Sequence, residues 1–174
     1  MSTLHFRVAD TADISALAVL VNSAYRGESS RRGWTTEADI LGGQRTDAGE
    51  LSELITAPAS YILLAEQAGQ IIASIHLKQT ANQSAYVGML AVEPGLQQRG
   101  TGRALLTHAE QTARQGWQAN EISMTVITLR TSLIAYYERL GYQRTGKLQP
   151  FPDDPRYGLQ KVPGLMLETL TKRF

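Results

Sequence analysis

The apolar positions of this chain alternate between a period of two and a helical period, and the switches between them outline the fold. Residues 5–8 read as a short strand. Asp10 or Thr11 then caps a helix with Ile14, Leu17, Ala18 and Val21 on one face. Residues 23–46 are polar and interrupted by Gly27, Gly33, Gly42 and Gly43, which predicts a loop with one short helix near 37–41. Asp47-Ala48-Gly49-Glu50 has the form of a capping box, and the helix that it opens ends at Pro58. Residues 61–66 and 71–78 are apolar strands joined by the turn 67–70, a hairpin, and 86–92 is a third strand after a turn at 81–84. A helix over 104–115 places Leu105, Leu106, Ala109 and Ala113 on one side, with Gly116 as its C-terminal cap. Ile122, Met124 and Val126 alternate with Ser123 and Thr125 in a strand. Leu133, Ile134, Tyr137 and Leu140 share one face of a helix closed by Gly141. Strands over 142–146 and 165–171 finish the pattern. Between them, 147–163 holds Pro150, Pro152, Pro155 and Pro163, a loop with restricted backbone freedom. The order β-α-α-β-β-β-α-β-α-β-β implies a mixed sheet with helices on both faces.

One segment carries more than structure. Residues 92–103 join the third sheet strand to the next helix through Gly95, Gly100 and Gly102, flanked by Arg99 and Arg103. A glycine-rich turn opening a helix leaves backbone N–H groups unpaired at the positive end of the helix dipole, and glycine lets a ligand approach the backbone closely. That combination is a phosphate or pyrophosphate site. A nucleotide P-loop is excluded, because Gly95 to Gly100 is followed by Thr101-Gly102 and not by Lys-Ser/Thr. A dinucleotide fingerprint fails at its third position, which is Leu105, and Glu121 begins the following strand where an acid should end it.

Gln97-Gln98-Arg99-Gly100-Thr101-Gly102 instead matches Gln/Arg-x-x-Gly-x-Gly/Ala, and in this it resembles the coenzyme A pyrophosphate loop of the GCN5-related N-acetyltransferase (GNAT) superfamily. Further segments agree in order and separation. Leu90-Ala91-Val92-Glu93-Pro94 resembles the exit from the superfamily's central strand. Tyr137-Glu138-Arg139-Leu140-Gly141-Tyr142 resembles its Tyr-Glu-x-Leu-Gly-Phe/Tyr helix end, and Phe6-Arg7-Val8-Ala9-Asp10 its opening. The resemblance covers roughly the whole chain, least clearly 27–58. It implies an α/β (α+β) acyl-CoA N-acyltransferase fold with a mixed central sheet of about seven strands and a splayed central pair.

The resemblance also implies roles. The backbone of Leu90, Ala91 and Val92 would pair with the pantetheine arm as an added strand does. Gln97, Gln98, Arg99, Gly100, Thr101, Gly102 and Arg103 would cradle the pyrophosphate, and Leu133 and Tyr136 would contact the coenzyme. Tyr137 stands at the position of the general acid, and a phenol with a reference pKa of about 10 still holds its proton at neutral pH. Tyr136, about 100° round the helix, is the alternative donor. Two positions depart from the pattern. Arg130 replaces a common asparagine and would meet the coenzyme through a phosphate, and Thr125 stands where some relatives carry a glutamate base. The base would then be water or a carboxylate such as Glu28, Glu37 or Asp39. The acceptor side is expected around Tyr25, Arg31, Arg32, Trp34, Glu37 and Phe151, where arginine would fix a carboxylate bidentately. The activity implied is acetyl transfer from acetyl-CoA to a primary amine of a small or amino-acid-like acceptor. A non-catalytic acyl-CoA sensor and a protein or peptide N-acetyltransferase are the alternatives.

Composition narrows the setting. The chain has 174 residues, the length of one domain, 1–174, with 43% hydrophobic and 19% charged residues. A net charge of +1 gives no reason to expect nucleic acid or membrane partners. Cysteine is absent, which removes disulfide and thiol chemistry, and His5, His76 and His108 lack metal-ligand spacing, so no metal is expected. With neither a leader sequence nor an apolar stretch near the roughly 20 residues of a membrane span, a soluble cytoplasmic protein is expected. Homodimers are common among relatives, and the sequence leaves this open.

Overall fold

The computed structural model describes residues 3–174. Its main sheet has seven strands, β1 (His5–Val8), β3 (Ser60–Gln67), β4 (Gln70–Ala81), β5 (Ser84–Val92), β6 (Glu121–Ile127), β7 (Gln143–Pro150) and β9 (Met166–Arg173), in the order β1-β3-β4-β5-β6-β9-β7. All neighbours are antiparallel except β5 and β6. Helices cover both faces. α4 (Thr101–Trp117) and α5 (Thr131–Arg139) pack Leu105, Leu106, Ala109, Ala113, Ile134 and Tyr137 against Leu63, Ile75, Leu77, Val87 and Ile122. α1 (Ile14–Tyr25) and α3 (Ala48–Thr56) pack Leu17, Leu20, Val21 and Leu51 against Ile62, Leu64, Met89 and Ala91 on the other.

The two central strands begin together and then part. β5 and β6 pair only over Ser84–Tyr86 and Glu121–Ser123, so beyond Tyr86 one edge of β5 has no neighbouring strand. A parallel pair that separates leaves a row of unpaired N–H and C=O groups, a template for an extended ligand. β5 is also bulged. Its register against β4 runs from Ser74↔Ala91 to His76↔Gly88, one residue extra on β5, and Met89 takes a left-handed φ of 53°. The bulge exchanges the faces of the strand. Ala85 and Val87 point to the α4 side, while Met89 and Ala91, at the same even spacing, point to the α1 side.

Local reading and tertiary structure part at a few places. α1 continues to Tyr25, because Ala24 and Tyr25 are held in the core by β5. The short helix of the polar stretch is α2 (Gly27–Ser30). Residues 37–41 instead form a turn leading to β2 (Leu41–Gly42), which pairs with β8 (Leu159–Gln160) inside the proline-rich segment. That long-range ladder has no local signature. Asp47 does cap α3, accepting from the Glu50 N–H at 2.7 Å, but Glu50 does not reach back. Its carboxylate accepts from Thr46 Oγ1 at 2.9 Å. Gly116 lies inside α4, and Gln118, with φ 53°, is the C-cap. Trp117 extends the helix by stacking on Tyr61 at 5.6 Å. β7 runs past 146 to Pro150, because Gly146 at φ 75° absorbs the irregularity between Arg144 and Leu148.

Candidate active site

The turn after β5 has the backbone that anion binding requires. Gln98 and Gly100 have left-handed φ values of 66° and 83°, a conformation that can present neighbouring N–H groups to an anion, and no side chain caps the N-terminus of α4. At Gly102 a Cβ would meet Val92 Cγ2 at 3.2 Å, so glycine brings the helix end close to β5. A cavity of about 370 Å³ opens over this end. Leu90, Val92, Gln97, Gln98, Gly100, Thr101, Gly102, Arg103, Arg130, Leu133 and Tyr136 line it. Trp34, expected on the acceptor side, roofs this cavity instead, its ring 5.5 Å from that of Tyr136. Ala91 points away into the α1 core, and Arg99 is exposed outside the cavity.

Two carbonyls of the splayed edge are already engaged. The Tyr25 hydroxyl donates to the Leu90 carbonyl at 2.8 Å, and Gln97 Nε2 donates to the Val92 carbonyl at 3.2 Å. The Gln97 amide oxygen accepts from the Trp34 N–H at 3.0 Å, which ties the roof to the strand. A strand presents the N–H and C=O of one residue to the same side, so Leu90 and Val92 also turn their N–H groups to the splay.

A second cavity of about 420 Å³ lies on the other side of Leu90. Tyr25, Leu90, Arg130, Leu133 and Tyr137 line both cavities and form the throat where they meet. Tyr137 is 7% exposed, and burial, its largest influence, raises its pKa above the usual phenol range, with the Tyr25 hydroxyl adding to the rise. Tyr136 is half-buried, lines only the first cavity and is raised mainly by burial as well.

A strand-bulge-turn-helix with an uncapped end, and two cavities meeting at a tyrosine, suits transfer between a phosphate-anchored donor and a separate acceptor. Comparison with known families agrees: residues 24–142, more than half of the chain, match the acetyltransferase (GNAT) family. The chain belongs to the GNAT acetyltransferase family. No curated protein matches the sequence. Among solved structures, a ribosomal-protein-alanine N-acetyltransferase from Brucella melitensis aligns with TM-score 0.71 at 18% identity, over 98% of this chain and 99% of that one. A Salmonella typhimurium structure described as an acetyltransferase with its cofactor acetyl-CoA aligns with TM-score 0.69 at 19% identity, over 98% and 93%. A spermidine N-acetyltransferase chimera from Vibrio cholerae and hSSAT aligns with TM-score 0.69 at 19% identity, over 98% and 95%. These likenesses concern the fold. A ribosomal-protein alanine and spermidine are different acceptors, so the acceptor must be read from this chain's own cavity.

In this GNAT chain the second cavity, on the side where an acceptor is expected, draws on more elements than the sequence indicates. Tyr25, Glu37 and Phe151 line it, whereas Arg31 and Arg32 do not. Arg31 is paired outside with Glu28 at 3.0 Å and Asp39 at 2.7 Å, which also takes both carboxylates away as bases. Glu37, 5% exposed, is clamped between Arg26 Nη1 and Arg130 Nη1, the latter at 2.8 Å. Arg130 also donates to Thr35 Oγ1 at 2.8 Å, so both of its terminal nitrogens have a partner in this cluster while the residue lines both cavities. Tyr86 approaches Thr125, hydroxyl to hydroxyl, at 3.3 Å. Phe151 packs beside Leu41, Ile127 and Leu165 while its segment borders the cavity, so it is both core and wall.

Arg45, Glu50, Glu53, His76 and Lys78 also line this cavity. The sequence offers only alternation on β4 as a pointer to His76, and a buried histidine shows the same pattern. Ser60 uses its hydroxyl proton on the Leu54 carbonyl at 2.7 Å, so His76 Nε2, 2.9 Å from Ser60 Oγ, must be the protonated nitrogen. Burial, with lesser contributions from Lys78 and Arg45, lowers the His76 pKa from 6.5 to about 4. A histidine held neutral in the folded state destabilises it wherever the unfolded chain takes the proton. Stability is therefore expected to fall as pH drops from 6.5 towards 4, by up to roughly 3 kcal/mol. Urea titrations over that range check this, and His76→Gln should flatten the dependence.

Proposed function

We propose that this chain transfers the acetyl group of acetyl-CoA to the primary amine of a small-molecule acceptor. The observation that carries the reading is the throat. Tyr137, buried and protonated, stands beside the free edge of β5, between a cavity that ends on an uncapped helix and one open to an acceptor. The turn at Gln98–Arg103 would hold the pyrophosphate, and the edge at Leu90–Val92 the pantetheine arm. The N–H groups still free there limit how the arm pairs, because Tyr25 and Gln97 hold the carbonyls.

The chemistry then follows from position. Bringing the amine and thioester together in the throat removes the entropy of their encounter. The amine nitrogen attacks the thioester carbon, and negative charge on the carbonyl oxygen is met by an N–H of the β5 edge. The C–S bond breaks, and Tyr137 gives its proton to the departing sulfur. Arg130 at the throat disfavours a neighbouring ammonium and so favours the neutral, nucleophilic amine. With Glu37 clamped by two arginines, the amine's proton leaves through water in the open acceptor cavity.

Calorimetry with acetyl-CoA and a thiol-release assay over a panel of amines test the reading. Micromolar binding and release of coenzyme A with at least one amine are expected. Absence of acetyl-CoA binding would overturn it, and binding without release from any amine would assign the chain to acyl-CoA sensing instead.

A further inference from the structure

The acceptor cavity has more positive charge than its own carboxylates neutralise. Arg26 and Arg130 share the one carboxylate of Glu37, and the Nε atoms of both arginines are buried without a partner. Two guanidinium groups against one carboxylate leave a net positive charge in a region where Arg26 is 4% exposed. Glu53, the outermost acid of the lining, is turned to Arg156 at 3.2 Å. Lys78 lies over the Tyr86 ring at 5.3 Å and adds a further cation.

Arg45 is the cation placed to use this excess. Its backbone N–H is fixed by Asn22 Oδ1 at 2.7 Å, and its guanidinium stacks on the Tyr25 ring at 5.4 Å. Glu50 is its nearest acid, an ion pair at 3.7 Å that is beyond hydrogen-bond reach, and that carboxylate also accepts from Thr46. The fork of Arg45 thus faces the cavity without a closely bonded acid. The hydroxyl of the same Tyr25 bonds Leu90 at the throat, so Arg45 stands one tyrosine ring from the point of transfer.

We propose that Arg45 is the specificity-determining residue of the acceptor site and holds a carboxylate of the acceptor. The substrate class is then amino acids, with carboxylate and amine separated by a short carbon chain. A guanidinium fork matches a carboxylate bidentately, and a site built around such a contact strongly rejects analogues that lack it. The excess charge of the Arg26–Glu37–Arg130 cluster favours the same ligand and disfavours polyamines.

This inference rests on the acetyl-transfer reading, and the experiment separates the two. Thiol release is measured with amino acids, with their α-amides and with the matching decarboxylated amines. The acids are expected to show kcat/KM at least about 10-fold above both analogues. Arg45→Gln should raise KM for the acid about 10-fold, with kcat and acetyl-CoA affinity nearly unchanged and the amide unaffected, and Arg45→Lys should restore part of the loss. If amides or amines are used equally well, or if Arg45→Gln impairs acid and amide alike, the carboxylate assignment fails while acetyl transfer stands. If no amine releases thiol, acetyl transfer fails, and N-acetyl amino acids and their amides are titrated into the coenzyme A-loaded protein. Preference for the acid, lost in Arg45→Gln, upholds the site, and equal or absent binding overturns it. Should Arg45→Gln not fold, Glu50→Gln decides. Removing the nearest competing carboxylate should lower KM for the acid about 3-fold and leave the amide unchanged, and no change overturns the proposal.

Discussion

Tyr137→Phe is expected to lower kcat at neutral pH by about 100-fold or more while acetyl-CoA affinity stays within about 2-fold. The substitution removes one oxygen and keeps the ring. The packing that the ring provides, 5.5 Å from Tyr136 and 6.0 Å from Tyr142, should survive, and with it the throat. What is lost is the only tyrosine of the Tyr136–Tyr137 pair that lines both cavities. Without a donor the thiolate must leave as an anion in a site that burial makes unfavourable to charge. The pH profile gives a second readout. Because burial raises the pKa of Tyr137, the wild-type rate should climb as the amine deprotonates and show no fall up to about pH 10, the reference phenol value. Rates measured by thiol release, with Kd from calorimetry, check both. An unchanged kcat would remove the acid role and leave Tyr137 as a core residue.

Gly100→Asp should act on the other half of the site and weaken acetyl-CoA binding by about 100-fold or more. The backbone at Gly100 is left-handed, a conformation that aspartate tolerates better than most residues, so the fold should persist. The new carboxylate lies at the uncapped N-terminus of α4, where it competes with a pyrophosphate for the same N–H groups and repels it. An L side chain on this left-handed backbone is strained, so the free protein should lose about 1–2 kcal/mol. A melting temperature lowered by only a few degrees, together with lost coenzyme binding, would distinguish occupation of the site from misfolding. Retained affinity would show that the pyrophosphate is held elsewhere.

Much of the proposed cofactor half could be read because its physics is local. Gly100 and Gly102 follow an apolar strand and open an amphipathic helix, and each of these signals lies within a few residues of the next. Tyr137 was legible for a related reason, since its helix carries its own apolar face and the Gly141 stop. Ala91 and Arg99 sit in the same motif, yet one side chain points into the α1 core and the other to solvent, since a backbone motif specifies its side chains poorly. The acceptor half was hardly legible. Arg31 and Arg32 share the composition of Arg26 and Arg45, but only the last two reach the cavity. Nothing in residues 23–46 says which, because the stretch is ordered by β8, by the Asn22 amide and by Glu37, all distant or non-periodic contacts.

By itself, the sequence determined the number and kind of most elements, the buried faces of α1, α4 and α5, the glycine-rich turn and the tyrosine helix. All of these rest on short-range backbone preference and on burial at a fixed period. The tertiary structure alone decided three things. The bulge at Met89 turned the end of β5 to its other face, although burial alternates without a break along the strand. The parting of β5 from β6 opened the edge on which a donor would lie. Glu37 is shared by Arg26 and Arg130, and Glu50 bonds Thr46, so Arg45 meets its nearest acid only at 3.7 Å. Pairing register and charge compensation are settled between residues far apart in the chain, so they exist only once the sheet has closed.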